Sequence, residues 1–176
     1  MKLRYQKTLE GCLKIEGATV LDIGCGPGHY SIALAKMGAK AVLGIDFADG
    51  MLQVASQRAI NEGVNNICQF KKVDFINQEL DKKFDYVVLM GLMDYMANPQ
   101  AIIKKALELT NNRAFFSFPL DGGLLAWQRK LHYKSRCDLY MYTEAQVREL
   151  FLGLDYKNLT IERIDRDLMV IVDMQA

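Results

Sequence analysis

The segment Val20-Leu21-Asp22-Ile23-Gly24-Cys25-Gly26-Pro27-Gly28-His29-Tyr30 concentrates the residues best suited to ligand chemistry. An apolar run stops at a Gly-x-Gly-x-Gly turn, and helical spacing begins directly after it. Gly24, Gly26 and Gly28 let the backbone turn tightly and let a ligand approach with no Cβ in the way. Amides at the start of the following helix can receive anionic or polar ligand atoms. Asp46 lies 20 residues beyond Gly26, at the end of the next apolar run. A carboxylate there can accept from both hydroxyls of a ribose; it can equally be an ordinary strand-ending turn residue. The glycine turn upstream favours the ribose and hence a nucleoside-bearing cofactor.

Several neighbouring chemistries are disfavoured by the same residues. A dinucleotide fingerprint, Gly-x-Gly-x-x-Gly, requires glycine where His29 stands. A phosphate-cradling loop requires Gly-Lys-Ser/Thr, whereas Gly28 precedes His29-Tyr30. Cysteines at 12, 25, 68 and 137 form no Cys-x-x-Cys pair, which argues against a zinc knuckle, a dithiol centre or a clustered iron–sulfur site. No metal-ligand set is evident. Cys25 reads as a small filler in the turn.

The elements that must hold these residues alternate. Ala18 to Ile23 reads as a strand, and Tyr30, Ala33, Leu34 and Met37 as a helix closed by Gly38. Ala41 to Ile45 is a second strand. Met51, Leu52, Ala55, Ala59 and Ile60 give a second helix, and Ile67 to Val73 a third strand. Phe84 to Met90 is continuously apolar apart from Asp85, as in a strand covered on both faces. Ile102, Ile103, Ala106 and Leu107 follow Pro99 as a helix, and Ala114 to Phe118 is a fifth strand. Thr143 and Gln146 form a capping box before Val147, Leu150 and Phe151. Leu159 to Ile164 and Leu168 to Val172 are close enough to form a hairpin. Strand–helix alternation implies a doubly wound α/β fold of three α/β/α layers around a mostly parallel sheet, with ligands at the carboxyl ends of the strands.

At 176 residues and 20.0 kDa the length suits a single domain spanning 1–176. Hydrophobic residues at 51% and charged residues at 24% argue against disorder. A net charge of +1 gives no global reason to expect DNA, RNA or an anionic membrane as partner. No transmembrane run and no signal-peptide pattern is visible, so the expected compartment is the cytoplasm with free thiols.

Asp22-x-Gly-x-Gly-x-Gly28, with an acid two residues before the first glycine, resembles motif I of the class I S-adenosylmethionine-dependent methyltransferases. Gly44-Ile45-Asp46-Phe47-Ala48 resembles that family's second motif, which implies Asp46 on the ribose and Phe47 beside the adenine, with Met51 in the helix that follows. Val73-Asp74-Phe75 is similar to the site where an acid binds the adenine amino group. Phe84 to Met90 with Gly91-Leu92-Met93 resembles the fourth strand and the loop bordering the methionine end. The resemblance implies seven strands in the order 3-2-1-4-5-7-6, the seventh antiparallel. It implies S-adenosylmethionine as cofactor, S-adenosylhomocysteine as product, and Asp22, Gly24, Cys25, Gly26, Gly28, Asp46, Phe47, Met51, Asp74, Phe75 and Gly91 around it.

Gly91-Leu92-Met93-Asp94-Tyr95 lacks the Asn/Asp-Pro-Pro-Tyr/Phe of nucleobase amino methylation, and no Pro-Cys nucleophile for pyrimidine carbon is present. These absences direct attention to oxygen (a carboxylate, phenol or enol), an activated carbon or a small amine. Candidates for a base are His29, Asp94, Tyr95, His132 and Tyr133, with His29, Tyr95 and His132 foremost. Leu120 to Tyr142 is long for a connection and reads as a substrate-side insertion. Within it, 124–136 has helical apolar spacing and crowded basic residues, suited to an anionic substrate, a membrane surface or a partner. Met1 to Glu16 reads as a helix able to close over the cofactor. The favoured partner is a small-molecule acceptor. RNA or protein methylation, a dinucleotide oxidoreductase and a cofactor-binding protein without transfer activity are the rivals.

Overall fold

The computed structural model describes residues 2–78, 80–122 and 139–175. The chain runs α1 (Lys2–Gly11), β1 (Thr19–Ile23), α2 (His29–Lys36), β2 (Ala41–Asp46), α3 (Asp49–Asn61), β3 (Cys68–Lys72) and β4 (Phe84–Leu89). It continues through a 3-10 turn (Met93–Tyr95), α4 (Pro99–Glu108), β5 (Thr110–Pro119), a helix labelled here α5 (Glu144–Leu150), β6 (Asn158–Ile164) and β7 (Asp167–Asp173). The sheet order is β3-β2-β1-β4-β5-β7-β6, as the motif resemblance implies. β7 runs antiparallel to both β5 and β6, while the other pairs are parallel.

Strand side chains alternate faces, and the buried residues sort accordingly. Val20, Val42, Tyr86, Val88 and Phe115 pack with Ile32, Leu34 and Ala35 of α2 and with Cys12 beyond α1. Leu21, Ile23, Ile45, Val87, Leu89 and Phe116 pack with Ile102, Ile103 and Ala106 of α4 and with Val147 and Phe151. α5 starts at the expected Thr143–Gln146 capping box.

Three expectations need correction. The N-terminal helix stops at Gly11 instead of reaching Glu16. Gly11 sits against the core, where a Cβ would lie 2.6 Å from Phe115, and its carbonyl accepts from Arg113 Nη1 at 2.8 Å. Leu13, beyond the end of the helix, is 76% exposed. β5 begins at Thr110, four residues before Ala114, because Arg113 in its polar start pairs with Asp173 of β7 at 2.5 Å. β3 is shorter than expected, Cys68–Lys72. Most of the 120–142 insertion, including the basic 124–136 stretch, His132 and Tyr133, lies outside the described residues.

Gly44 joins the sheet to the turn above it. It is in register with Asp22 of β1 and Phe70 of β3. A Cβ there would lie 2.6 Å from the Phe70 ring and 3.1 Å from Cys25 Sγ. Gly44→Ala is expected to cost about 1–3 kcal/mol by overpacking. That lowers the thermal midpoint by roughly 3–9 °C. An unchanged midpoint in a melting experiment would show that the turn does not pack on β2 in this way.

Candidate active site

The glycine turn is built at the carboxyl ends of β1 and β2. Gly24 and Cys25 both donate their amides to Ile45 O, at 2.9 and 3.0 Å. Gly24, Gly26 and Gly28 adopt φ of 69°, 51° and 75°, the left-handed region that side chains resist. Gly28 also packs closely: a Cβ there would lie 3.1 Å from both Ala55 and Phe70.

Two carboxylates fasten this turn. Asp22, 1% exposed, accepts from Ser31 N at 3.1 Å and from Ser31 Oγ at 2.6 Å through Oδ2. It thereby pins the start of α2 to the end of β1. Burial pushes its carboxyl up to about 6, against the pull of the Ser31 hydrogen bonds. Asp46 accepts from Gly26 N through Oδ2 and from Ala48 N through Oδ1, both at 2.9 Å. A carboxylate oxygen can accept more than one hydrogen bond, so these contacts leave Asp46 acceptor capacity for a ligand.

Two cavities flank the turn, and Gly24 lines both. One, of about 300 Å³, is bounded by Asp46, Phe47, Asp74, Phe75, Leu92 and Met96 among others. Phe47 is 75% exposed at its rim, while Phe75 is buried. Asp74 accepts from Ile76 N, Asn77 N and Asn77 Nδ2 at 3.2, 3.4 and 2.7 Å. The Asn77 side-chain hydrogen bond leads in holding its carboxyl below the usual range.

The other cavity, of about 460 Å³, is bounded by Gly24, Cys25, Gly26, Pro27, His29 and Tyr30 from the turn, by Met90, and by Lys2, Arg4 and Tyr5 of α1. Arg4 Nη1 donates to Asp167 Oδ2 at 2.7 Å and to Ser117 Oγ at 3.2 Å. The Ser117 hydroxyl also accepts from Gly91 N at 2.8 Å, so α1 and the loop after β4 meet on one oxygen. Arg4 Nε is buried and makes no hydrogen bond.

The structure thus gathers Gly24, Cys25, Gly26, Asp46, Phe47, Asp74, Phe75 and His29 around two cavities that share Gly24, while Asp22 and Gly28 line neither. Gly91, at φ 81°, stands behind Arg4. Met51 and Tyr95, 47% and 46% exposed, line neither cavity, and His132 lies outside the described residues. Burial raises the thiols of Cys12, Cys25 and Cys68, to about 12 for Cys12 and about 11 for Cys68, so all three stay protonated. Met1 to Glu16 reads as a helix able to close over the cofactor, but the sequence does not single out Arg4, Lys2 and Tyr5 within it. Nothing in Lys2-Leu3-Arg4-Tyr5 distinguishes a cavity wall from a solvated helix start. Among the described residues no group of acids, histidines and cysteines could hold a metal ion, and no helix is long and apolar enough to cross a membrane.

A family model described as a methyltransferase domain matches residues 14–163. The chain belongs to that methyltransferase family. Its seven-strand order is that of the class I methyltransferases, which take their methyl group from S-adenosylmethionine. The ubiquinone biosynthesis O-methyltransferase of Coxiella burnetii is 34% identical over 119 residues, covering 66% of this chain and 49% of that protein. The enzyme of the same name from Pasteurella multocida is 34% identical over 124 residues, covering 64% and 50%. The chain therefore spans about half the length of these curated relatives. Among solved structures, magnesium protoporphyrin IX methyltransferase from Synechocystis PCC 6803 with bound SAH superposes at TM-score 0.78 and 22% identity, covering 99% of this chain and 81% of that one. A putative O-methyltransferase from Nostoc punctiforme PCC 73102 gives 0.81 at 17% identity, covering 96% and 55%.

Asp22 gives this methyltransferase domain a pH signature. A carboxyl raised on folding holds its proton longer in the native state than in the unfolded chain. The stability it contributes is fully present below about pH 4 and is lost as pH rises through about 6. Moving the group from 3.8 to about 6 corresponds to about 3 kcal/mol. In urea unfolding, the stability of the native protein relative to Asp22→Asn should fall by up to that amount between pH 4 and pH 7.5. A difference independent of pH would show that Asp22 ionises in the folded protein as freely as in water.

Proposed function

We propose that this domain transfers a methyl group from S-adenosylmethionine to an oxygen of a small-molecule acceptor, a carboxylate, phenol or enol, in the cytoplasm. The observation that carries the reading is the pair of cavities that share Gly24 as a lining residue. One is lined by acids and aromatics suited to an adenosine, the other by backbone and cations suited to an amino-acid end. Lys2 and Arg4 bring cationic side chains to the second cavity, which suits such an anionic group.

In this reading Asp46 accepts from the ribose hydroxyls while keeping Gly26 in place. Phe47 and Phe75 flank the adenine, and Asp74 faces its amino group. Gly24 and Gly26 let the ligand cross the turn, and Arg4 provides the countercharge for its carboxylate. Cys25 fills space as a protonated thiol. Asp22 acts one step removed, holding the start of α2 through Ser31.

When bound, the cofactor supplies a methyl group already made electrophilic by the sulfonium. The chain's contribution is orientation and exclusion of water, with proton removal a lesser need for an acidic oxygen acceptor. The O-methyltransferase relatives and the absence of amino- and carbon-methylation motifs in the sequence support oxygen as the receiving atom. The buried free thiols suit a reducing compartment.

Calorimetric titration with two ligands tests these roles. S-adenosylhomocysteine carries the carboxylate, whereas 5′-methylthioadenosine lacks it. Asp46→Ala should weaken both ligands by roughly 100-fold, the loss of two hydrogen bonds to a charged acceptor. Arg4→Met should weaken the first by roughly tenfold or more and leave the second unchanged. Equal losses for both ligands in Arg4→Met would overturn the assignment of Arg4 to the carboxylate.

A further inference from the structure

Arg58, in the last turn of α3, reaches back over the glycine turn. Its Nη1 donates to Pro27 O at 2.8 Å and lies 3.2 Å from His29 Nδ1. That nitrogen carries two hydrogens, and a guanidinium stays charged and offers donors only. With one hydrogen on the Pro27 carbonyl, the other faces the imidazole. His29 Nδ1 must therefore meet it with a lone pair, since a proton there would set two N–H groups against each other beside a cation. The neutral ring keeps its proton on Nε2. Its only lone pair is taken by Arg58.

The other charged side chains on the cavity that His29 lines are Lys2 and Arg4 of α1, and Tyr5 and Tyr30 line it too. His29 is exposed, and partial loss of hydration together with the Arg58 guanidinium holds the imidazole below its ordinary pKa. Proton abstraction by His29 would need the opposite tautomer, with a free lone pair on Nε2.

The geometry assigns Arg58 as a positioning residue that fixes His29 as the Nε2–H tautomer, so that His29 donates a hydrogen bond to the cofactor's carboxylate beside Arg4 and is not a base. The carboxylate part rests on the methyl-transfer reading above; the tautomer rests on the Arg58 contacts alone. The sequence offered His29 as a candidate base, and Arg58 carried no motif.

Long-range proton–nitrogen correlation spectra of the full chain labelled at histidine test this directly. The sequence holds two histidines, and His132→Gln leaves His29 as the only signal. At pH 7.5 the spectrum should show Nε2 protonated and Nδ1 unprotonated, with an apparent pKa below the ordinary 6.5. Arg58→Met should raise that pKa and mix the tautomers. A dominant Nδ1–H form in the native protein, or a folded Arg58→Met with tautomer and pKa unmoved, overturns the proposal; the native spectrum decides if that variant fails to fold. Adding S-adenosylhomocysteine should move the Nε2–H signal, and 5′-methylthioadenosine should not. Equal movement with both, or none with calorimetrically bound S-adenosylhomocysteine, overturns the carboxylate contact. Failure of S-adenosylhomocysteine to bind would instead count against the methyl-transfer reading and leave the tautomer result standing.

Discussion

The site depends on holding three left-handed glycines in one shape. Such a turn has no side chains of its own to pack, so its geometry must be imposed from outside. Asp22 and Asp46 impose it from neighbouring strands. Asp22 gives up hydration to fix the start of α2, and Asp46 takes the Gly26 amide from the side. Gly44 lets Phe70 and Cys25 come close beneath it. A turn assembled this way is ready before a ligand arrives, which limits the ordering that binding must impose.

The parallel sheet turns that local constraint into a cleft. β1, β2 and β4 end on the same side, so the residues just past each strand converge. Asp46 and Phe47 come from β2, Asp74 and Phe75 follow β3, and Met90 and Gly91 follow β4. α1 then covers the remaining side, carried there by Arg4 on Asp167 and Ser117 and by the Lys7–Glu162 ion pair. Strand ends thus define the adenosine half of the cleft, while α1 and the glycine turn define the other half.

The succession of strands and helices and the turn were legible because their signals are local, while the sheet order followed from the resemblance to the class I methyltransferases. Apolar runs, punctuating glycines and the Thr143–Gln146 capping box each declare themselves within a dozen residues, and the glycine motif joined to Asp46 is specific. The failures share one cause, dependence on partners far along the chain. The polar start of β5 is a strand because Asp173 neutralises Arg113 from 60 residues away. The N-terminal helix ends early because Phe115 and Arg113 meet Gly11. Arg4 becomes part of a cavity only through Asp167 and Ser117. Arg58 is an unremarked surface-helix arginine until the fold brings Pro27 and His29 beneath it.

One nucleoside-bearing ligand lies across the glycine turn in this proposal, with its amino-acid end beside Arg4. Thermal unfolding with S-adenosylhomocysteine, set beside the same experiment with NAD, tests this most directly. At 100 times its dissociation constant a ligand adds about 2.7 kcal/mol. For a chain of this size that raises the midpoint by roughly 5–10 °C. That rise is expected with S-adenosylhomocysteine, and none with NAD. A rise with NAD alone would contradict the proposal and make His29, at the third-glycine position, a tolerated departure from a dinucleotide site.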